Sequence, residues 1–174
     1  MGVSTVAWVR RTLDLESLRR LPDVLNRACP DREKTASWRW DGYPSEESVA
    51  EGLCFLNGPE LSICPRQEVM MLYSRARWRG FLSHADTRNH VRGNTAKVFR
   101  AIGATEATWL PDWFLNDWPE GAVLTIDSVQ RRLRGEWGPP QVSLDSIEDT
   151  VVLAAEHSSP RVWFQESVLE ASNS

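Results

Sequence analysis

Leu53-Cys54-Phe55-Leu56, the turn formers Asn57-Gly58-Pro59, Leu61-Ser62-Ile63-Cys64, Pro65, and then Glu68-Val69-Met70-Met71-Leu72-Tyr73-Ser74-Arg75-Ala76-Arg77-Trp78-Arg79 follow one another with no helical period between them. Two short extended runs flank a Gly-Pro turn, which predicts a hairpin, and the third run is long enough to lie beside it. Alternation along the third run sets Met70, Leu72, Ala76 and Trp78 toward a core. It sets Arg75, Arg77 and Arg79, with Tyr73 at the end, on the opposite face. An antiparallel sheet edge is the expected result.

Residues 3–10 are apolar on both faces, as in a central strand, with Val6 and Trp8 opposing Thr5, Ala7 and Val9. Asp14 can cap a helix whose Leu15, Leu18 and Leu21 form one stripe. Pro22 then kinks that helix or opens a second turn through Val24, Leu25 and Ala28. Residues 35–41 read as a second strand with both indoles of Trp38 and Trp40 on one side. Residues 46–51 form a capped helical turn stopped by Gly52. A long helix spans 83–102, opened by Ser83 with Asp86, with Val91, Val98, Phe99 and Ile102 as its apolar face and Gly103 as its stop. Its N-terminal half is polar and expected to be exposed.

Residues 106–110 follow as a strand, then the aromatic loop 112–120, then a helix capped by Thr125 with Ile126, Val129 and Leu133 inward and Gly138-Pro139-Pro140 as a hard stop. Residues 150–156 and 161–166 read as a closing hairpin. Strands and helices interleave, which predicts an α+β fold over residues 1–168: a mostly antiparallel sheet packed against about three helices, with 169–174 a frayed tail.

The chain has 174 residues, 41% apolar and 25% charged, with 24 acids against 20 bases. That excludes a disordered tail and a strongly basic nucleic-acid scaffold. The most apolar runs are far shorter than a spanning helix needs, so no membrane partner is expected. The basic pair Arg10-Arg11 follows the first apolar run rather than preceding it, the reverse of a secretory signal, and Gly2 lacks the residues of a myristoylation site. A cytoplasmic location is the expectation. Three cysteines, Cys29, Cys54 and Cys64, fit neither a disulfide framework nor a paired-cysteine metal site and read as reduced thiols.

No metal is expected: His84 and His90, six apart, point about 120° away from each other on a helix, and His157 lies elsewhere. There is no nucleophile elbow and no glycine-rich phosphate loop, so no cofactor is expected. Two segments stand out. The face carrying Tyr73, Arg75, Arg77 and Arg79 could grip a phosphate backbone, or could be a solvated strand. The loop 112–120 combines the apolar Trp113, Phe114, Leu115 and Trp118 with Asp112, Asp117 and Glu120, the composition of a patch that docks a basic partner, or of a loop folded back on the core by its own aromatics.

Gly103-Ala104-Thr105-Glu106-Ala107-Thr108-Trp109-Leu110-Pro111-Asp112, then Leu124-Thr125-Ile126-Asp127-Ser128-Val129 and Gly138-Pro139-Pro140, resemble the style of small bacterial immunity proteins of polymorphic toxin systems, contact-dependent or type VI-delivered. The resemblance spans less than half of the chain and carries over no toxin-binding residue. It implies a noncatalytic cytoplasmic protein that blocks a cognate protein toxin, here expected to be basic, with Asp112, Trp113, Asp117, Trp118 and Glu120 as the contact patch. Two other classes stay open: a nucleic-acid-binding domain using Tyr73, Arg75, Arg77 and Arg79, and an enzyme assembling His84, His90, Asp112 and Glu136.

Overall fold

The computed structural model describes residues 3–28, 37–141 and 143–168. Its centre is β1 (Ser4–Arg10), buried on both sides from Thr5 to Val9 as the two-faced apolar pattern requires. β5 (Val69–Arg77) runs antiparallel along one edge of β1 and β6 (Glu106–Pro111) along the other. β4 (Leu61–Arg66), β3 (Phe55–Asn57) and β2 (Arg39–Asp41) extend the sheet beyond β5, and β7 (Phe164–Ser167) closes it beyond β6. The order is β2-β3-β4-β5-β1-β6-β7, and every strand pair is antiparallel.

Helices cover both sheet faces. One core joins Ala7, Val9, Ile63, Met70, Leu72, Ala107 and Trp109 to α1 (Leu15–Ala28), α3 (Trp78–Ser83), α4 (Ala85–Ile102) and α6 (Asp149–His157). The other joins Val6, Trp8, Cys64, Met71 and Leu110 to a 3-10 helix (Asp112–Asp117) and to Ile126, Val129 and Leu133 of α5 (Ile126–Trp137). The remaining helix, α2 (Glu46–Glu51), stands beside β4.

Local chemistry sets the boundaries. Asp14 accepts the Ser17 amide at 2.8 Å, and α1 continues through Pro22 as one helix. Ser45 with Ser48, and Thr125 with Ser128, form reciprocal capping boxes that start α2 and α5. Gly58 turns β3 into β4 where a Cβ would stand 2.6 Å from the Trp38 ring, so only a residue without a side chain lets that indole pack there.

The α+β class with a mostly antiparallel sheet holds, with six α-helices among the described residues rather than about three. The expected closing hairpin is the main correction. Residues 149–157 are α6, whose Val151 and Ala155, four apart, bury on one face, and only 164–167 form a strand, paired with β6. The Val-Val pair favours a strand locally, but burial at helical spacing decides the outcome. The long helix begins at Ala85, without a side-chain cap from Ser83, which ends α3 instead. Its N-terminal half is not all exposed: Arg88 is buried, donating to the carbonyls of Phe81 and Leu82 at 3.0 and 3.1 Å and so finishing α3. Pro65 lies inside β4 rather than ending it. Cys54 and Cys64 are buried free thiols; Cys29 and the expected tail 169–174 lie outside the described residues, as do residues 35 and 36 of the expected second strand.

Candidate functional site

The strongest built feature is a pocket of about 570 Å³ where three segments meet. These are the C-terminal end of α2 (Ala50), the β4–β5 turn (Arg66, Gln67, Glu68) and the loop running from Leu115 to Leu124. Gln67 locks the junction. Its φ of 50° is the single positive value among the described non-glycine residues. Its amide donates to Val49 O at 3.0 Å, its carbonyl accepts from Arg11 Nε, and its side-chain Oε1 accepts the Leu124 amide. The Glu68 amide adds a bond to Leu124 O at 3.3 Å. A left-handed residue held by three separate segments is a costly backbone state kept by its surroundings, a pattern that concentrates at working sites.

Arg66 forms part of the lining. Its stem runs past Gly52, where a Cβ would sit 2.9 Å from Arg66 Cδ, and its buried Nε has no hydrogen-bond partner. The large hydrophobics most exposed to water are Tyr43 at 68%, Leu53 at 62%, Val123 at 61% and Leu153 at 60%. Tyr43 precedes α2 in the chain, with the Arg19 guanidinium 4.9 Å over its ring; Leu53 follows α2, and Val123 lines the pocket with Ala50. Glu46, Glu47 and Glu51 on α2, with Glu68 and Glu120, are exposed among them and make no ion pair among the described residues.

The structure divides the predicted aromatic and acidic patch. Trp118 and Glu120 belong to the pocket, with Trp118 Nε1 donating to Ala122 O at 3.3 Å. Trp113 turns to Trp137 of α5, ring centroids 5.1 Å apart, and Phe114 is buried against Trp8 and Trp137. The Arg132 guanidinium lies over both Phe114 and Trp118, at 5.1 and 5.5 Å. The loop is thus folded onto the core by its own aromatics, with Trp113, Trp118 and Asp112 half-buried. The side chain of Asp117 lies outside the described residues.

The predicted arginine face is corrected. β5 stops at Arg77, and Arg79 lies on α3. A register shift opposite Ser4 and Val6, with the Ala76 amide bonded to Ser74 Oγ at 3.0 Å, interrupts the two-residue period. Arg75 lines a pocket with Glu60 and His90, whereas Arg77 and Arg79 line another with His157. Tyr73 is half-buried against the second core, its hydroxyl 3.6 Å from Met71 Sδ, and burial pushes its phenol well above the usual range.

The enzyme grouping is also separated. His84 and His90 flank or lie on α4, against one sheet face; Asp112 and Glu136 lie on elements packed against the other. Glu136 accepts from Arg132 Nε at 2.6 Å, and His90 Nε2 faces Glu60 at 3.7 Å. Among the described residues no three His, Cys, Asp or Glu side chains gather as metal ligands, and no helix is long and apolar enough to cross a membrane.

Sequence reasoning missed Arg66, Gln67, Glu68 and Val123 as members of one pocket, and Tyr43, Glu46, Glu47 and Leu53 as exposed residues on or next to the helix that contributes to it. The available signal was the run Tyr43-Pro44-Ser45-Glu46-Glu47, where an aromatic and two acids frame a helix start. No protein-family model matches the chain, and no curated protein or solved structure matches it either.

Proposed function

We propose that the chain is a noncatalytic binding protein that neutralises a cognate toxin in the bacterial cytoplasm by direct protein–protein contact. The observation that carries this reading is that Tyr43, Leu53 and Val123, all largely exposed, lie on or next to the three segments that meet at Gln67, together with five exposed glutamates that make no ion pair among the described residues. Single exposed hydrophobics are ordinary on protein surfaces, and it is their recurrence on neighbouring segments that is informative. Apolar anchors hold a complex once water is excluded, and a ring of like charge speeds the encounter with a surface of opposite charge. Glu46, Glu47, Glu51, Glu68 and Glu120 therefore select a basic partner. Trp118 and Leu115 supply the apolar wall behind them.

The test is purification of the tagged chain from its own host, with bound protein identified by mass spectrometry and bound nucleic acid read by absorbance ratio. One stoichiometric partner is expected, bound at least tenfold more weakly by Leu53→Ser or Val123→Ser and associating more slowly with the Glu46→Gln, Glu47→Gln, Glu68→Gln variant. A partner bound equally by all these variants, or no protein partner, overturns the reading.

A further inference from the structure

We propose that Arg77 and Arg79 form a binding site for a phosphoryl group, separate from the α2 surface. The strand-to-helix turn makes the site: Arg77 ends β5 in extended conformation, Arg79 lies in the first turn of α3, and both line one pocket of about 270 Å³. His157, Ser158 and Ser159 at the end of α6, with Val3, complete it. Both arginines are exposed, and neither side chain makes a hydrogen bond or ion pair among the described residues.

A merely structural role would look different. An arginine serving a helix end donates to the last carbonyls, as Arg88 does to Phe81 and Leu82 at the end of α3. Neither Arg77 nor Arg79 reaches a carbonyl of α6, although both stand at its C-terminal end. There the Ser158 amide and hydroxyl already bond Ala154 O, at 2.9 and 3.0 Å, and His157 Nδ1 lies 3.2 Å from Leu153 O. The helix end is satisfied without the arginines. The Ser159 hydroxyl has no partner among the described residues, so it adds a donor to the pocket that the two guanidiniums line.

Two planar forks on residues that line one concavity suit the several acceptor oxygens of a phosphoryl group, which each can bind bidentately. Glu156 also lines the pocket and opposes an anion, as does the partial negative charge at the end of α6. Two full positive charges outweigh one carboxylate and a half-charge, and the opposition supplies a diagnostic: Glu156→Gln should strengthen binding.

The experiment titrates the full chain with pyrophosphate and, separately, with a short single-stranded oligonucleotide, by calorimetry at low salt. Saturable one-to-one pyrophosphate binding is expected, weakened about tenfold by Arg77→Ala and by Arg79→Ala, strengthened by Glu156→Gln and unchanged by Arg75→Ala. Thermal melts of the variants should match the parent, since none of these side chains holds the fold. Tighter oligonucleotide binding that falls steeply with salt in the parent and is lost in the same two variants supports the site and assigns the phosphoryl group to a nucleic-acid backbone. Equal or weaker oligonucleotide binding supports it and assigns a free phosphate ligand. No saturable binding of either probe overturns the proposal, as does an Arg75→Ala variant that loses as much as Arg77→Ala, which would mean diffuse charge rather than a site.

Discussion

Arg92 of α4 and Glu166 of β7 form an ion pair inside the first core, with Nε 2.8 Å from Oε1 and side-chain exposures of 11% and 8%. Glu166 Oε2 also accepts from the Trp109 indole of β6 at 2.9 Å, and Arg92 NH1 reaches Asp145 at 2.6 Å. Burial pulls the Arg92 guanidinium down, but its bonds to Glu166 and Asp145 outweigh that and hold it above its ordinary value. The pair thereby ties α4 to the edge of the sheet where β7 joins. Glu166→Ala leaves a largely buried cation and an indole N–H without their acceptor, and should cost about 3 kcal/mol. Urea unfolding measures it, and a loss under 1 kcal/mol would mean that Asp145 alone suffices.

Cys64 gives the fold an alkaline limit. Burial, with smaller help from Cys54, pushes its thiol up to about 12 from an ordinary value of 9.0. The folded state therefore keeps a proton that the unfolded chain releases above pH 9. Stability from this group is complete below pH 9 and is lost as pH rises toward 12. Denaturation midpoints of the parent should fall across that window and those of Cys64→Ala should fall less steeply. A parent and variant with parallel alkaline profiles would exclude Cys64 as the cause.

Gly58 is a packing position more than a turn position. A Cβ there meets three Trp38 ring atoms at 2.6 to 2.7 Å, and Trp38 is held in place by its amide bond to Asn26 Oδ1 at 2.9 Å. That hydrogen bond holds the Trp38 backbone, just before β2, against α1, so the ring can yield only by changing its rotamer. Gly58→Ala should destabilise by about 1 to 3 kcal/mol and alter Trp38 fluorescence. An unchanged emission spectrum with unchanged stability would show the indole free to move.

Period and caps made much of this fold legible. The two-faced apolar run of β1, the Asp14, Ser45 and Thr125 caps and the stops at Gly52, Gly103 and Gly138 all act within a few residues of chain, where sequence carries the physics directly. Residues 150–152 misled for the opposite reason: Thr150-Val151-Val152 favours a strand in isolation, and only the packing of α6 against α3, with Val151 and Ala155 buried, makes it a helix. The site was less legible. Trp118 and Glu120 could be read from their loop, but the pocket they line also needs α2 and the β4–β5 turn, joined through Gln67 across contacts distant in sequence. The arginines failed as a stripe because a bulge at Ser74–Ala76 and the start of α3 interrupt alternation, neither of which period-two reasoning anticipates.

Gln67 offers the sharpest link from backbone to binding. It holds φ 50° while its side chain takes the Leu124 amide and its carbonyl takes Arg11, so with the Glu68 amide it fastens the end of the loop carrying Trp118, Glu120 and Val123. Gln67→Gly relieves the left-handed strain but removes the side-chain bond; Gln67→Ala removes the bond and keeps the strain. Alanine should therefore cost more stability than glycine, by about 1 kcal/mol. Both should speed hydrogen exchange at the Leu124 amide. Because neither removes an exposed apolar or acidic side chain, weaker partner binding by both, in proportion to the exchange rate rather than to stability, would show that the hold on the loop sets affinity. Binding that tracks global stability instead would reduce Gln67 to a folding residue.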